Sequence, residues 1–565
     1  MQRIISAFKK EYFILFLIVL FAGTLRFWNL TNFPPSLSHD EVAIGYNAYS
    51  VLKTGKDEYG ISFPLLFKSF DDYKLPGMVY ASIPSIKLFG LNELGVRFPS
   101  AFFGTLSVLL FYFIVKIFTN KNANKSLIIT LFFAFSLWHV NFSRQSFESN
   151  GALFFLMAGT YFLLKADKKL HNLYCASFFY AISLYFYYSV RLVIPFLVLS
   201  FFILNMKNLL KNLKIVFISL IIGIIVLFPL LPNIFSQDGF TRINKVSVIN
   251  DPDYVVRKTK YALIIAKNNN IFTKIIYNRR VALIETVISN YFKNFSYAEI
   301  FVKGTGGLGL LYVFELPLFI LGIYYLFRAK NPLKWIFIAW FLSAPLAGAL
   351  TTDQPNSLRT LLNAPMFSLM SGVGFWEILK LFKNTRLKYL FLLFSVLVFG
   401  FYFSKFLNSY FYLYPKTNSI YFGDGNKQMI NYVTQNENKY KAIYISGYYW
   451  RPYIYLLFWK GYDPLLYQKN GSIDHFGKYY FSAAEWDKEG IYFGPFAKYD
   501  VDFHSLVKTN IPQETLFILA KPEIMKYRSK FKVITVINGK YAREVYYAAV
   551  LCKLKECPDL RFLVK

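Results

Sequence analysis

The string Ser38-His39-Asp40-Glu41 stands just before a periodic segment, Val42–Leu52, and Ser38 with Glu41 three residues on has the spacing of a capping box. That spacing predicts a helix start with Asp40 in the first turn. A helix N-terminus stabilises a carboxylate, so Asp40 is expected to be ionised near neutral pH and able to take a proton from a hydroxyl. The two acids could equally do no more than satisfy the helix end. Further along, Asp71-Asp72-Tyr73-Lys74-Leu75-Pro76 sets acids beside a lysine, which could hold a lipid phosphate as a point charge or merely snorkel to head groups. Arg144 and Glu148 share the stretch Trp138–Glu148, whose His139 reads as a hydrogen-bonded structural residue rather than a proton carrier. Arg191 follows Tyr185-Phe186-Tyr187-Tyr188-Ser189-Val190, where two apolar segments turn back with almost no loop. An ionisable group at membrane depth costs ~2.5–3.5 kcal/mol on insertion scales, which favours a pairing or ligand role for it. For Arg359, phosphate binding and a surface pair with Asp353 stand side by side.

These groups need elements to hold them, and the composition says what kind. Of 565 residues, 55% are apolar, 20% aromatic and only 17% charged, with a mean hydropathy of +0.36. A water-soluble globule, a disordered chain and a fibre are excluded. The net charge of +31 does not call for nucleic acid, because the basic residues cluster in short gaps between apolar runs. Three cysteines, Cys175, Cys552 and Cys557, form neither a disulfide framework nor a zinc pattern. Cys175 is expected to be packing, and Cys552 with Cys557 could close a small local disulfide where the compartment oxidises.

Apolar runs of spanning length lie at 12–28, 98–118, 126–140, 149–164, 172–188, 192–206, 215–232, 309–327, 333–350, 361–379 and 389–407, predicting eleven spans. The first is read as a retained helix with Arg26-Phe27-Trp28 as its interfacial end. With a cytoplasmic N-terminus, the inner loops and the N-terminus carry 19 Lys and Arg, against three (Arg144, Arg191, Arg359) in the short outer loops. This asymmetry places the C-terminus and the long segments Asn29–Pro99 and Asn233–Leu308 outside. Gly77–Leu88 is too short to span and is read as an interface helix. Gly304–Gly309 lacks a following Lys-Ser/Thr, so it is read as a flexible entry to the eighth span rather than a P-loop. Residues 408–565 form a polar tail, with β-favouring stretches at 442–445, 515–519 and 533–536 and a helical one at 427–436, predicting a small α/β domain.

The Asp-Glu pair soon after the first span, a Tyr/Ala-rich helix, the Lys-Leu-Pro element, and then Leu88-Phe89-Gly90-Leu91-Asn92-Glu93 with Val96-Arg97-Phe98-Pro99-Ser100-Ala101-Phe102-Phe103-Gly104 occur in a specific order. In that order the chain resembles GT-C glycosyltransferases, of the protein O-mannosyltransferase and lipid A aminoarabinose transferase branch. The likeness is strong over residues 10–200, patchy to 380 and absent in the tail. It implies a GT-C membrane domain over 1–407 followed by the outer α/β domain. The implied reaction draws on a polyprenyl-phosphate-linked sugar as donor, transfers it on the extracytoplasmic face to a lipid, glycan or protein acceptor, and inverts the anomeric carbon. Asp40 would be the base, with Glu41 supporting the loop. Lys74 stands where a phosphate-binding lysine is found in a Glu-Lys-Pro element, but Tyr73 replaces that Glu. Whether Asp72 substitutes for it, and whether a divalent metal is held there, stays open; no other cofactor is implied. Glu148 matches an acid that organises the sugar site, and Arg144, Arg191 and Arg359 would contribute to phosphate or sugar binding. Displacing a polyprenyl phosphate needs one base and several cations, the residue types found here. A transporter or flippase of a lipid-linked glycan is the competing class. It would want a charged path through spans that here are nearly free of ionisable residues.

Overall fold

The computed structural model describes residues 2–70, 72–234, 236, 245–268, 270–304, 307, 309–449, 451–481, 514–526 and 531–551. The chain forms two compact units. The first comprises Met1–Trp28, Leu65–Met78 and Pro99–Ser409; the second comprises Asn29–Pro64, Val79–Phe98 and Tyr410–Lys565. The predicted division ran between 407 and 408, with the whole first outer loop on the membrane side. The observed units divide that loop, and most of it folds with the tail.

The first unit is helical because its runs are apolar on every side and long enough to close their own backbone bonds. Each predicted run overlaps a helix, beginning with α1 (Gln2–Phe27), but the runs at 126–140 and 333–350 are each broken into two helices. Among the described residues, Glu93–Phe118, Val190–Lys211, Leu213–Asn233 and Thr385–Phe422 are each long and apolar enough to cross a membrane. Ala123–Ala134 and Leu137–Ser143, bent by 57°, make a fifth if taken as one span. Other helices are shorter than their runs: Asn172–Ser183, Glu315–Arg328 and Lys334–Ser343. Arg26, expected at an interface, is fully buried, and Cys175, expected to pack, is exposed on its helix. Cys552 and Cys557 lie outside the described residues. A two-stranded hairpin, β1 (Phe67–Ser69) and β2 (Asp72–Lys74), pairs Phe67 with Lys74.

The second unit holds α2 (His39–Thr54), most of α3 (Gly77–Phe89), the first residues of α4 (Glu93–Phe118) and the tail. Helix α2 starts at the predicted capping box and ends where Gly55 adopts φ +71°, its amide bonding Val51 O at 2.8 Å. In the tail a six-stranded mixed sheet has the order β4-β5-β3-β6-β8-β7, from β3 (Ala442–Ile445), β4 (His475–Phe476), β5 (Tyr479–Phe481), β6 (Thr515–Ala520), β7 (Phe531–Ile537) and β8 (Tyr546–Leu551). Strand β3 runs parallel to both β5 and β6 and is buried throughout, as a central strand covered on both faces must be. The predicted tail strands and the 427–436 helix all fall on observed elements.

Candidate active site

In the second unit, Ser38 caps α2: its Oγ accepts from the Glu41 amide at 3.4 Å, while Glu41 Oε2 accepts from the Ser38 amide at 3.0 Å. Glu41 is fully buried, which for a carboxylate demands a partner. Arg97, equally buried, supplies it: Nε donates to Glu41 Oε1 at 2.9 Å and Nη2 to Oε2 at 3.3 Å. The same guanidinium donates Nη1 to the carbonyls of Leu30 (3.1 Å) and Pro34 (2.9 Å) and Nη2 to that of Ser36. One planar fork thus ties residues 30–41 into a single conformation. Asp40, next in the chain to Glu41, keeps 34% of its side chain exposed, with His39 Nε2 3.7 Å from its Oδ1. Glu41 is spent on structure, and Asp40 is the partly exposed acid of the two.

The tail braces the same loop. The Tyr455 hydroxyl donates to Leu37 O at 3.2 Å. On α2, a Cβ at Gly45 would lie 2.6 Å from both Phe458 and Val96, so glycine permits the helices to meet there. Asp424 accepts the amides of Lys540, Tyr541 and Ala542 at 2.7, 2.7 and 2.9 Å, and Lys540 Nζ reaches Asn32 Oδ1 at 2.5 Å.

In the first unit, Lys74 is buried at the end of β2, and half-buried Asp72 accepts the Tyr73 amide at 2.8 Å. The Tyr188 hydroxyl donates to Tyr73 O at 3.3 Å, and the Arg191 guanidinium lies 4.5 Å above the Tyr188 ring. Leu66, Leu75 and Leu230 pack with Tyr73, Tyr185 and Tyr188, so the hairpin bearing Lys74 and the turn bearing Arg191 share one neighbourhood. Arg191 Nε and Nη2 are buried with no hydrogen-bond partner among the described residues. Buried donors are nearly always paired, so these two are suited to a ligand acceptor.

The other candidates also lie in the first unit. Arg144, expected as a substrate contact, is fully buried and donates to Leu25 O and Trp28 O, both at 2.7 Å. It satisfies carbonyls that the end of α1 leaves open, a positioning role. Arg26 donates to His139 Nδ1 at 2.8 Å, and His139 is buried 4.3 Å from the Phe133 ring, as a structural histidine would be. Glu148 is buried in the first turn of the helix Glu148–Ala166. Arg359 Nη1 donates to Thr351 Oγ1 at 2.8 Å and to Thr352 O, bracing its own loop. Among the described residues, no group of three or more His, Cys, Asp or Glu is placed to hold a metal ion.

Arg97 and Tyr455 have roles that the sequence does not mark. No local signal marks either, because their partners lie 56 and 418 residues away.

Residues 76–233 match the family described as dolichyl-phosphate-mannose-protein mannosyltransferase, a stretch that includes Arg144, Glu148 and Arg191. The fold is similar to ArnT from Cupriavidus metallidurans, solved bound to undecaprenyl phosphate: TM-score 0.52 at 10% identity, over 96% of this chain and 99% of that one. It is also similar to the archaeal oligosaccharyltransferase AglB from Archaeoglobus fulgidus, solved with an inhibitory peptide and a dolichol-phosphate: TM-score 0.50 at 13% identity, over 79% of this chain and 63% of that one. No curated protein sequence matches the chain. These likenesses show that the chain shares its fold with both solved structures, and that residues 76–233 are similar to the mannosyltransferase family.

Proposed function

We propose that the chain transfers a sugar from a polyprenyl-phosphate donor to an acceptor hydroxyl on the extracytoplasmic face, with inversion at the anomeric carbon. Asp40 is the base. The acceptor oxygen attacks the anomeric carbon as its proton passes to the Asp40 carboxylate, and the bond from that carbon to the phosphate oxygen breaks with its electron pair leaving on the phosphate. Lys74 and Arg191, with Arg359, hold that phosphate as charge gathers on it, Asp72 and Glu148 bind the sugar side, and Arg144 positions the loop 138–148. Glu41 acts through Arg97, holding the loop that presents Asp40. The membrane domain has eleven spans over residues 1–407, with the N-terminus cytoplasmic and residues 408–565 outside. The acceptor is a lipid, a glycan or a protein.

The observation that carries the reading is the division of labour in the acid pair. Glu41 is locked by a buried arginine, and Asp40 beside it stays open to solvent in the first turn of a capped helix. Full-length protein in proteoliposomes should consume a purified polyprenyl-phosphate sugar and release the lipid phosphate. Single cysteines placed near Asp72 and in the tail should react with an impermeant thiol reagent on intact cells, and labelling only after lysis would reverse the orientation.

A further inference from the structure

The segment between the helices Leu213–Asn233 and Glu315–Arg328 was expected to be an outer loop. It contains three amphipathic helices, Pro252–Lys267, Ile271–Ile276 and Arg279–Lys293, all in the first unit. The third has its burial inside out. Ala282, Thr286 and Asn290, spaced by four, form its buried stripe, while Ile284, Ile288 and Phe292, also spaced by four on the opposite side, are 57%, 51% and 64% exposed. A helix resting on a protein core in water turns its large apolar side chains inward. This one turns them out. The short helix before it continues the pattern, with Ile271, Phe272, Ile275 and Ile276 all more than half exposed on one side.

Charge flanks these side chains asymmetrically. Residues 251–293 hold eight basic and three acidic residues, a net charge of +5. The acids are used within the segment: Glu285 accepts from Arg257 at 3.0 Å, Asp253 from Lys293 at 2.7 Å, and buried Asp251 from Asn290 at 3.2 Å. Lys258, Lys260, Lys267, Lys274, Arg279 and Arg280 remain as exposed cations of the segment.

We infer that this face is seated in the membrane surface of the leaflet where the segment emerges, with Ile275, Ile284, Ile288 and Phe292 among acyl chains and the cations on anionic lipid head groups. Two features select a lipid over a protein partner. The segment that carries the apolar stripe lies in sequence between two apolar helices, Leu213–Asn233 and Glu315–Arg328, which tether it near the bilayer. Lys274 is next to Ile275 and Arg280 stands four residues before Ile284, so cations sit close to the apolar side chains, the arrangement of an interfacial helix drawn to anionic head groups.

The test uses full-length protein in nanodiscs, with Cys175, Cys552 and Cys557 replaced by Ser and an environment-sensitive probe on Ile275→Cys or Ile288→Cys. Brominated acyl chains should quench both probes. Brominated phosphatidylglycerol should quench the Ile275 probe at least about twofold more than brominated phosphatidylcholine at equal mole fraction. Lys274→Glu with Arg280→Glu should remove that preference while leaving quenching by phosphatidylcholine. Absence of quenching by either lipid would mean that water or protein covers the face, and equal quenching by both would remove the anionic lipid; either result overturns the inference.

Discussion

Arg97→Met isolates the pair that organises the acid-bearing loop. The substitution fills a similar volume but removes the cation from the buried Glu41 carboxylate, at a position with no measurable exposure. Removing one partner of a buried ion pair costs ~3–5 kcal/mol. Three carbonyls, those of Leu30, Pro34 and Ser36, also lose their donor. At roughly 2–4 °C per kcal/mol for a unit of this size, the melting temperature should fall by about 10 °C. The double variant Arg97→Met with Glu41→Met removes the stranded charge as well, so it should recover at least about 2 kcal/mol of the loss. Thermal unfolding of the full chain in detergent, for the wild type and both variants, reads the effect. A single variant within about 1 kcal/mol of wild type would refute the reasoning, as would a double variant less stable than the single one. Either outcome would mean that the carboxylate finds water or another partner.

Three further outcomes follow from particular contacts. Glu523, buried beside β6, has its carboxyl pushed up to about 7 by desolvation, against an ordinary 4.5. The folded form therefore binds the proton more tightly than the unfolded chain, and stability falls as pH rises from about 4.5 to 7, by up to ~3 kcal/mol. Glu523→Gln should flatten that slope in thermal unfolding measured between pH 5 and 8. Lys74→Ala should weaken binding of the donor, and slow departure of the lipid phosphate, by about tenfold or more, read as loss of affinity for a radiolabelled polyprenyl-phosphate sugar. Tyr455→Phe removes the bond to Leu37 O and should cost about 1 kcal/mol of stability, with kcat reduced and donor affinity retained; an unchanged kcat would separate the tail from the loop it braces.

What could be read from the sequence was local. The capping box at Ser38 and Glu41 follows from a three-residue spacing, and the strand at 442–445 from a run of β-favouring residues bounded by polar ones. The strands at 475–481 were too short to signal, and Tyr546–Leu551 carries alanines where β-branched residues would have marked it. Arg97 could not be assigned because its role exists only once residues 30–41 fold around it. Arg144 was placed in an outer loop by hydropathy, which cannot see that the carbonyls of Leu25 and Trp28 await donors beside it. Most of the first outer loop joins the tail through contacts more than 350 residues apart in sequence, Tyr455 with Leu37 and Lys540 with Asn32 among them, and no periodicity reports such pairing.

The central claim is that Asp40 takes the proton from the acceptor. Asp40→Asn keeps the shape of the side chain and leaves the Ser38–Glu41 capping box in place, but removes the basicity. In full-length protein reconstituted in proteoliposomes with a polyprenyl-phosphate sugar it consumes, release of lipid phosphate should fall by about 10²–10⁴-fold while donor binding and thermal stability stay near wild type. Transfer at close to the wild-type rate by the folded variant would contradict the claim and leave Asp40, like Glu41, a structural acid at a helix end.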